Sequence, residues 1–114
     1  MASRVNPYRK DDPMRVAQRW ILKDASMREE YLKRHREIWP EMKELLKKAG
    51  YRNYSIWLSG TDIFAYYEVD DPDKLIQTLE ASEVRTRWED YMRPLIYLGE
   101  NDIPESLEEA FWLE

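Results

Sequence analysis

The sequence predicts an α+β fold, a ferredoxin-like plait in which an antiparallel sheet carries its helices on one face. Three observations lead there. Residues 14–23, 53–58 and 63–69 alternate apolar and polar side chains, the period of half-buried strands. Residues 27–49 and 72–95 place apolar side chains three and four apart, the period of a helix with one buried face. The resulting order of strand, helix, hairpin, helix and strand closes as a plait. A chain of 114 residues supports one such domain, burying roughly two thirds of its unfolded surface.

Residues 1–12, MASRVNPYRKDD, show no periodicity and mix charges with Pro7, so they read as a flexible N-terminal arm ahead of a single domain at 13–114. The first strand sets Met14, Val16, Trp20 and Leu22 on one face against Arg15, Arg19 and Lys23, with Gln18 as a polar exception on the apolar side. Ser26 followed by Glu29 has the spacing of a capping box and predicts a helix from about Met27. Tyr31, Ile38, Met42, Leu45, Leu46 and Ala49 form its apolar face, and Gly50 supplies a left-handed stop after Lys47 and Lys48. Pro40 cannot donate to the carbonyl of Arg36, so the helix must kink or restart there and swing Trp39 aside.

A hairpin follows. Tyr54, Ile56 and Leu58 share one face, Ser59 to Asp62 turn, and Ile63, Ala65, Tyr67 and Val69 return. Pro72 opens a helix with Leu75, Ile76 and Leu79 on its buried edge; Ser82 and Glu83 open another carrying Val84, Trp88, Tyr91, Met92 and Leu95, ended by Pro94. Residues 97–106 read as loop, and the apolar run from Ala110 to Leu113 predicts a terminal strand.

Composition narrows the function. A net charge of −5, spread without a basic stripe, argues against nucleic acid as a partner. No apolar run is long enough for a membrane span, and the charged N-terminus does not suit a secretion signal, so the expectation is a cytoplasmic, soluble protein. The absence of cysteine excludes disulfides and thiolate chemistry. One His and scattered acids give no metal-ligand spacing, and three glycines give no phosphate loop, so no metal or cofactor is expected.

What remains is proton transfer by one imidazole. His35 lies one helical turn after Tyr31 on the apolar face, so the two rings can line one pocket. Five Trp and eight Tyr against two Phe supply rings with a polar tip, which suit a neutral polar ligand such as a sugar. A lone histidine on such a face also reads as packed core, in which case no polar cavity should adjoin it. Large rings remain for the sheet face opposite the helices, which predicts an isologous homodimer covering them.

These residues carry a resemblance. EYLKRHREIWPEM at 30–42 resembles the E-Y-x-x-R-H-x-x-I-W-P-E signature of the L-rhamnose mutarotase family. NYSIWL at 53–58, RWEDYM at 87–92 and LEEAFWLE at 107–114 extend the likeness from about Arg15 to the C-terminus. The resemblance implies a dimeric, cytoplasmic, cofactor-independent enzyme that interconverts the α and β anomers of L-rhamnose. It implies His35 as proton donor and Tyr31 and Tyr54 as sugar-contacting residues, with Trp88 in the first place of a Trp-Trp pair. Glu89 occupies the second place, which exchanges a stacking ring for a carboxylate and puts the identity of the sugar in question. Another aldose such as L-fucose, or a non-enzymatic dimeric module holding haem through His35, are the alternative readings.

Overall fold

The computed structural model describes residues 13–114, so the arm expected at 1–12 lies outside the described residues. Strand β1 spans Met14–Leu22, helix α1 Arg28–Arg36 and helix α2 Pro40–Ala49. The hairpin strands are β2, Arg52–Ser59, and β3, Asp62–Val69. Helices α3, Pro72–Glu80, and α4, Glu83–Met92, follow, then short strands β4, Ile96–Tyr97, and β5, Glu105–Leu107. The sheet is antiparallel in the order β2-β3-β1-β4, with β5 also on β1, which is the plait expected from the sequence. No helix among the described residues is long and apolar enough to cross a membrane.

Alternation puts Ile63, Ala65, Tyr67 and Val69 of β3 on the helix side, all buried, with Trp20 and Leu22 of β1 beside them. Tyr31, Met42, Leu45, Trp88 and Met92 close over most of this face from the helices, and Leu75 of α3 joins Ala49 beside Tyr67 and Val69. Ile76, expected on the buried edge of α3, is instead 51% exposed, because Leu75 and Leu79 already fill the seam.

Pro40 restarts the helix rather than kinking it. Trp39 takes extended angles as the N-cap, and Pro40 becomes the first residue of α2, where its missing N–H costs nothing. Gly50 ends α2 at φ 104°, with its N–H reaching the Leu46 and Lys47 carbonyls. The start of α1 departs from the capping box: Asp24, not Glu29, accepts from the Ser26 N–H at 2.8 Å and caps a 3₁₀ turn that leads into the helix. A carboxylate two residues ahead takes the Ser26 N–H that the Glu29 side chain of a capping box would have accepted from, and the Ser26 hydroxyl itself donates to Asp24.

The C-terminal expectation is also corrected. Residues read as loop contain two strands, and Ala110–Leu113 form none. Tyr97 pairs opposite Ile21 and Glu105 opposite Arg19, so β4 and β5 run along one edge of β1 as an interrupted strand, with residues 98–104 looping out between them. β5 takes the edge of β1 at Ala17–Arg19, and the run after it lies on the surface with Phe111 and Leu113 each 79% exposed. Arg15 ties this tail down, pairing with Glu109 at 2.9 Å and lying over the Trp112 ring.

Candidate active site

The interruption between β4 and β5 and the break before Pro40 both open space on the helix side of the sheet. A hollow of about 160 Å³ is lined by Trp20, Tyr31, His35, Tyr54, Trp88 and Glu89, with Arg93, Leu98 and Asp102 at its rim. A second, of about 320 Å³, adjoins it and shares Tyr31, His35, Tyr54, Ile56 and Trp88. All five residues singled out from the sequence therefore meet at one place, joined by Trp20 and by aliphatic and methionine side chains, and the larger of the two hollows is in the size class of small-molecule sites.

Each wall has a local cause. Tyr31 and His35 are one turn apart on α1, their ring centroids 4.5 Å apart. Arg34, between them on the helix, pairs with Glu30 at 2.6 Å, donates to the Tyr91 carbonyl and lies 4.0 Å over the Tyr91 ring, which fastens α1 to α4. Trp88 of α4 thereby stands edge-on to His35 at 5.6 Å. Trp39, displaced by the helix restart, braces Trp88 at 5.1 Å and stacks on Tyr91.

Tyr54 arrives through a bulge. Arg52 pairs with Glu68 but Ser55 with Tyr66, so β2 carries one extra residue, and Asn53 takes it up at φ 49°, a conformation asparagine tolerates. Tyr54 then points to the helix side, stacked on Tyr51 at 4.7 Å and edge-on to Tyr67. The residue as a whole remains 38% exposed, while its hydroxyl lies inward, near the Tyr31 and Tyr67 phenols.

The inner end of the site is electrostatically neutral. His35 Nδ1 lies 3.2 Å from the Tyr31 carbonyl oxygen, which can only accept, so Nδ1 carries a proton and Nε2 keeps a lone pair with no protein partner among the described residues. Burial lowers the imidazole below its ordinary 6.5, opposed by that backbone bond, so it is neutral at pH 7. Burial raises the Tyr31 and Tyr54 phenols above 10, which keeps both protonated as donors. Glu89 reaches the rim as a half-buried carboxylate paired with Arg85 at 3.1 Å. Arg93 pairs with Asp102 at 2.6 Å and so pins the 98–104 loop over the opening.

Trp20, Arg93 and Asp102 were not singled out by sequence reasoning. Trp20 carried a signal, since its alternation puts it on the buried face of β1. Arg93 and Asp102 carried none, because their meeting depends on a turn in which Gly99, Asn101 and Asp102 all take positive φ. Among the described residues no three His, Cys, Asp or Glu side chains gather as a metal site.

Comparison with known proteins agrees with the geometry. Residues 15–113 match a family model described as L-rhamnose mutarotase. The L-rhamnose mutarotase of Listeria monocytogenes is 46% identical over 93 residues, covering 75% of this chain and 86% of the relative. That of Lactiplantibacillus plantarum is 41% identical over 99 residues, covering 83% and 92%. A crystal structure of L-rhamnose mutarotase from Formosa agariphila superposes with a TM-score of 0.74 at 30% identity, covering 89% of this chain and 99% of that one. By the span of that match and the identity of these relatives, the chain belongs to the L-rhamnose mutarotase family.

Proposed function

We propose that this protein is an isomerase that interconverts the α and β anomers of L-rhamnose by opening and reclosing the pyranose ring. The observation that carries the reading is the fixed tautomer of His35 inside a ring-walled hollow. Opening removes the proton from the anomeric hydroxyl, forms the C1 carbonyl and breaks the bond from C1 to the ring oxygen, which takes up a proton. Nε2 of neutral His35 accepts the first proton, and the Tyr31 carbonyl stabilises the imidazolium through Nδ1–H. The ring oxygen receives a proton from the imidazolium, directly or through the phenol of Tyr31 or Tyr54, which gives its own proton and takes the imidazolium's in exchange. Rotation about the bond from C1 to C2 turns the aldehyde over, and the reverse transfers close the other anomer. Trp88 offers an edge and face to the C–H groups and methyl of a 6-deoxy sugar.

The protein acts in the cytoplasm as a homodimer in this reading, as the family resemblance implies. The sheet face away from the helices supports the assembly: Trp57 is 66% and Tyr97 51% exposed there, a large apolar surface for a soluble domain. Sedimentation equilibrium at micromolar concentration should give twice the chain mass; a monomer removes the dimer from the proposal. The activity is tested by saturation-transfer NMR of L-rhamnose anomers with L-fucose as comparator. Exchange no faster than the buffer blank for L-rhamnose would reject it.

A further inference from the structure

Trp20 carries a polar atom that the fold leaves unused. Its indole nitrogen is sealed from solvent and, among the described residues, meets no acceptor in hydrogen-bond geometry. The residue is only 9% exposed. An indole N–H is a donor and nothing else, and a buried donor without a partner is costly enough that native structures rarely retain one without a reason.

Its position supplies the reason. Trp20 sits where the edge strand is interrupted: Tyr97 lies opposite Ile21 and Glu105 opposite Arg19, and residues 98–104 leave the sheet between them. That excursion brings Leu98 and Asp102 to the wall of the hollow that Trp20 shares with Tyr31, His35 and Trp88. The Tyr31 oxygen feels the indole N–H, which opposes the upward push of burial on that phenol, but the two do not form an aligned bond.

We propose that the Trp20 indole N–H is a substrate-binding donor, left unpaired in the free protein so that an oxygen of the bound sugar can accept from it beside the Tyr31 phenol. This rests on the reading of the hollow as a sugar site. A fixed donor reads only a lone pair at that point, so a sugar presenting a C–H group there leaves the N–H buried and unpaired and is rejected. Trp20 thus adds selection for an oxygen on the wall formed by the sheet, opposite the C–H selection made by the ring of Trp88.

The test replaces the indole of Trp20 by benzothiophene, using 3-benzothienylalanine, which keeps the ring shape and removes only the N–H. The KM for L-rhamnose exchange should rise about tenfold with kcat within about twofold, the effect of one lost hydrogen bond in binding. In parallel, the Trp20 indole proton of the unmodified protein, assigned by its loss in Trp20→Phe, should move downfield when L-rhamnose is added. An unmodified protein that exchanges L-rhamnose with an unshifted Trp20 indole, or a benzothienyl variant with unaltered KM, overturns the inference while leaving the activity standing. An unmodified protein that neither exchanges nor shifts overturns the sugar site itself.

Discussion

The two ends of the hollow are built from different materials. The inner end, buried Tyr31, Trp20 and Trp88 with half-buried His35, is neutral and held on helices and a central strand that pack into the main core. The rim, Glu89, Arg93 and Asp102, is charged, partly open to water and partly carried on a loop outside the sheet. A proton transfer gains most where water is excluded and donors are fixed, whereas charges at a wet rim are screened and act weakly. Chemistry should therefore be lost at the inner end and only tuned at the rim.

The sharpest break of that contrast is His35→Asn. Asparagine keeps a polar side chain without a titrating base, and the loss expected is that of one positioned acid–base group, roughly 10²- to 10⁴-fold in exchange rate. The thermal midpoint measured beside it should move little compared with that loss. A rate within threefold of the parent would take His35 out of the mechanism.

The pH dependence isolates the same end. Neutral His35 is the working form, and its pKa in the fold lies below the ordinary 6.5 because burial disfavours the cation. Blank-corrected kcat/KM should therefore stay level from pH 8 down past 6.5 and fall only on the acid side of it. The linked stability has the same sign: the contribution is present above 6.5 and is lost as pH falls through the folded value, since the unfolded chain takes up the proton first. His35→Asn should abolish both limbs. An inflection above 6.5 in the parent would contradict the buried, neutral assignment.

The inner end was also the legible one. Tyr31 and His35 stand one turn apart on a helix whose period, proline and glycine stop are written locally, so their meeting could be read from spacing. Tyr54 followed from alternation, although the bulge at Asn53 that keeps it on the helix side depends on pairing with β3 and has no local mark. The rim could not be read. Whether residues 96–107 form a strand depends on the free edge of β1, and Arg93 meets Asp102 only because the loop between β4 and β5 folds back. The apolar run at 110–113 misled for the same reason, since period and hydrophobicity cannot say which segment reaches an edge first.

Gly99 tests whether that loop matters. At φ 137° it adopts a conformation other residues avoid, and a Cβ there would stand 2.7 Å from the Ile103 carbonyl oxygen. Gly99→Ala should force the loop off the opening and raise KM about fivefold to tenfold, with kcat nearly kept, an effect between those of the inner end and the outer charges. Arg93→Ala and Asp102→Asn should each raise KM by about twofold to threefold, and together no more than either alone, because each frees the same loop. Additive effects would mean that the two side chains touch the sugar separately.

The smallest effect, and the most informative about the sugar, belongs to Glu89. It stands where the family resemblance places a second tryptophan, and its ion pair with Arg85 spans one helical turn with both side chains about a third exposed, so losing the pair costs little stability. Glu89→Trp should thus fold as the parent does and differ only in what the rim offers, a ring face in place of a carboxylate. A ring prefers a sugar face rich in C–H, whereas a carboxylate accepts from hydroxyls, so the substitution changes the comparison between sugars more than either absolute rate. The ratio of kcat/KM for L-rhamnose over L-fucose should rise about twofold to fivefold in exchange NMR. A ratio unmoved by a change of this size would assign sugar selection to the inner walls alone.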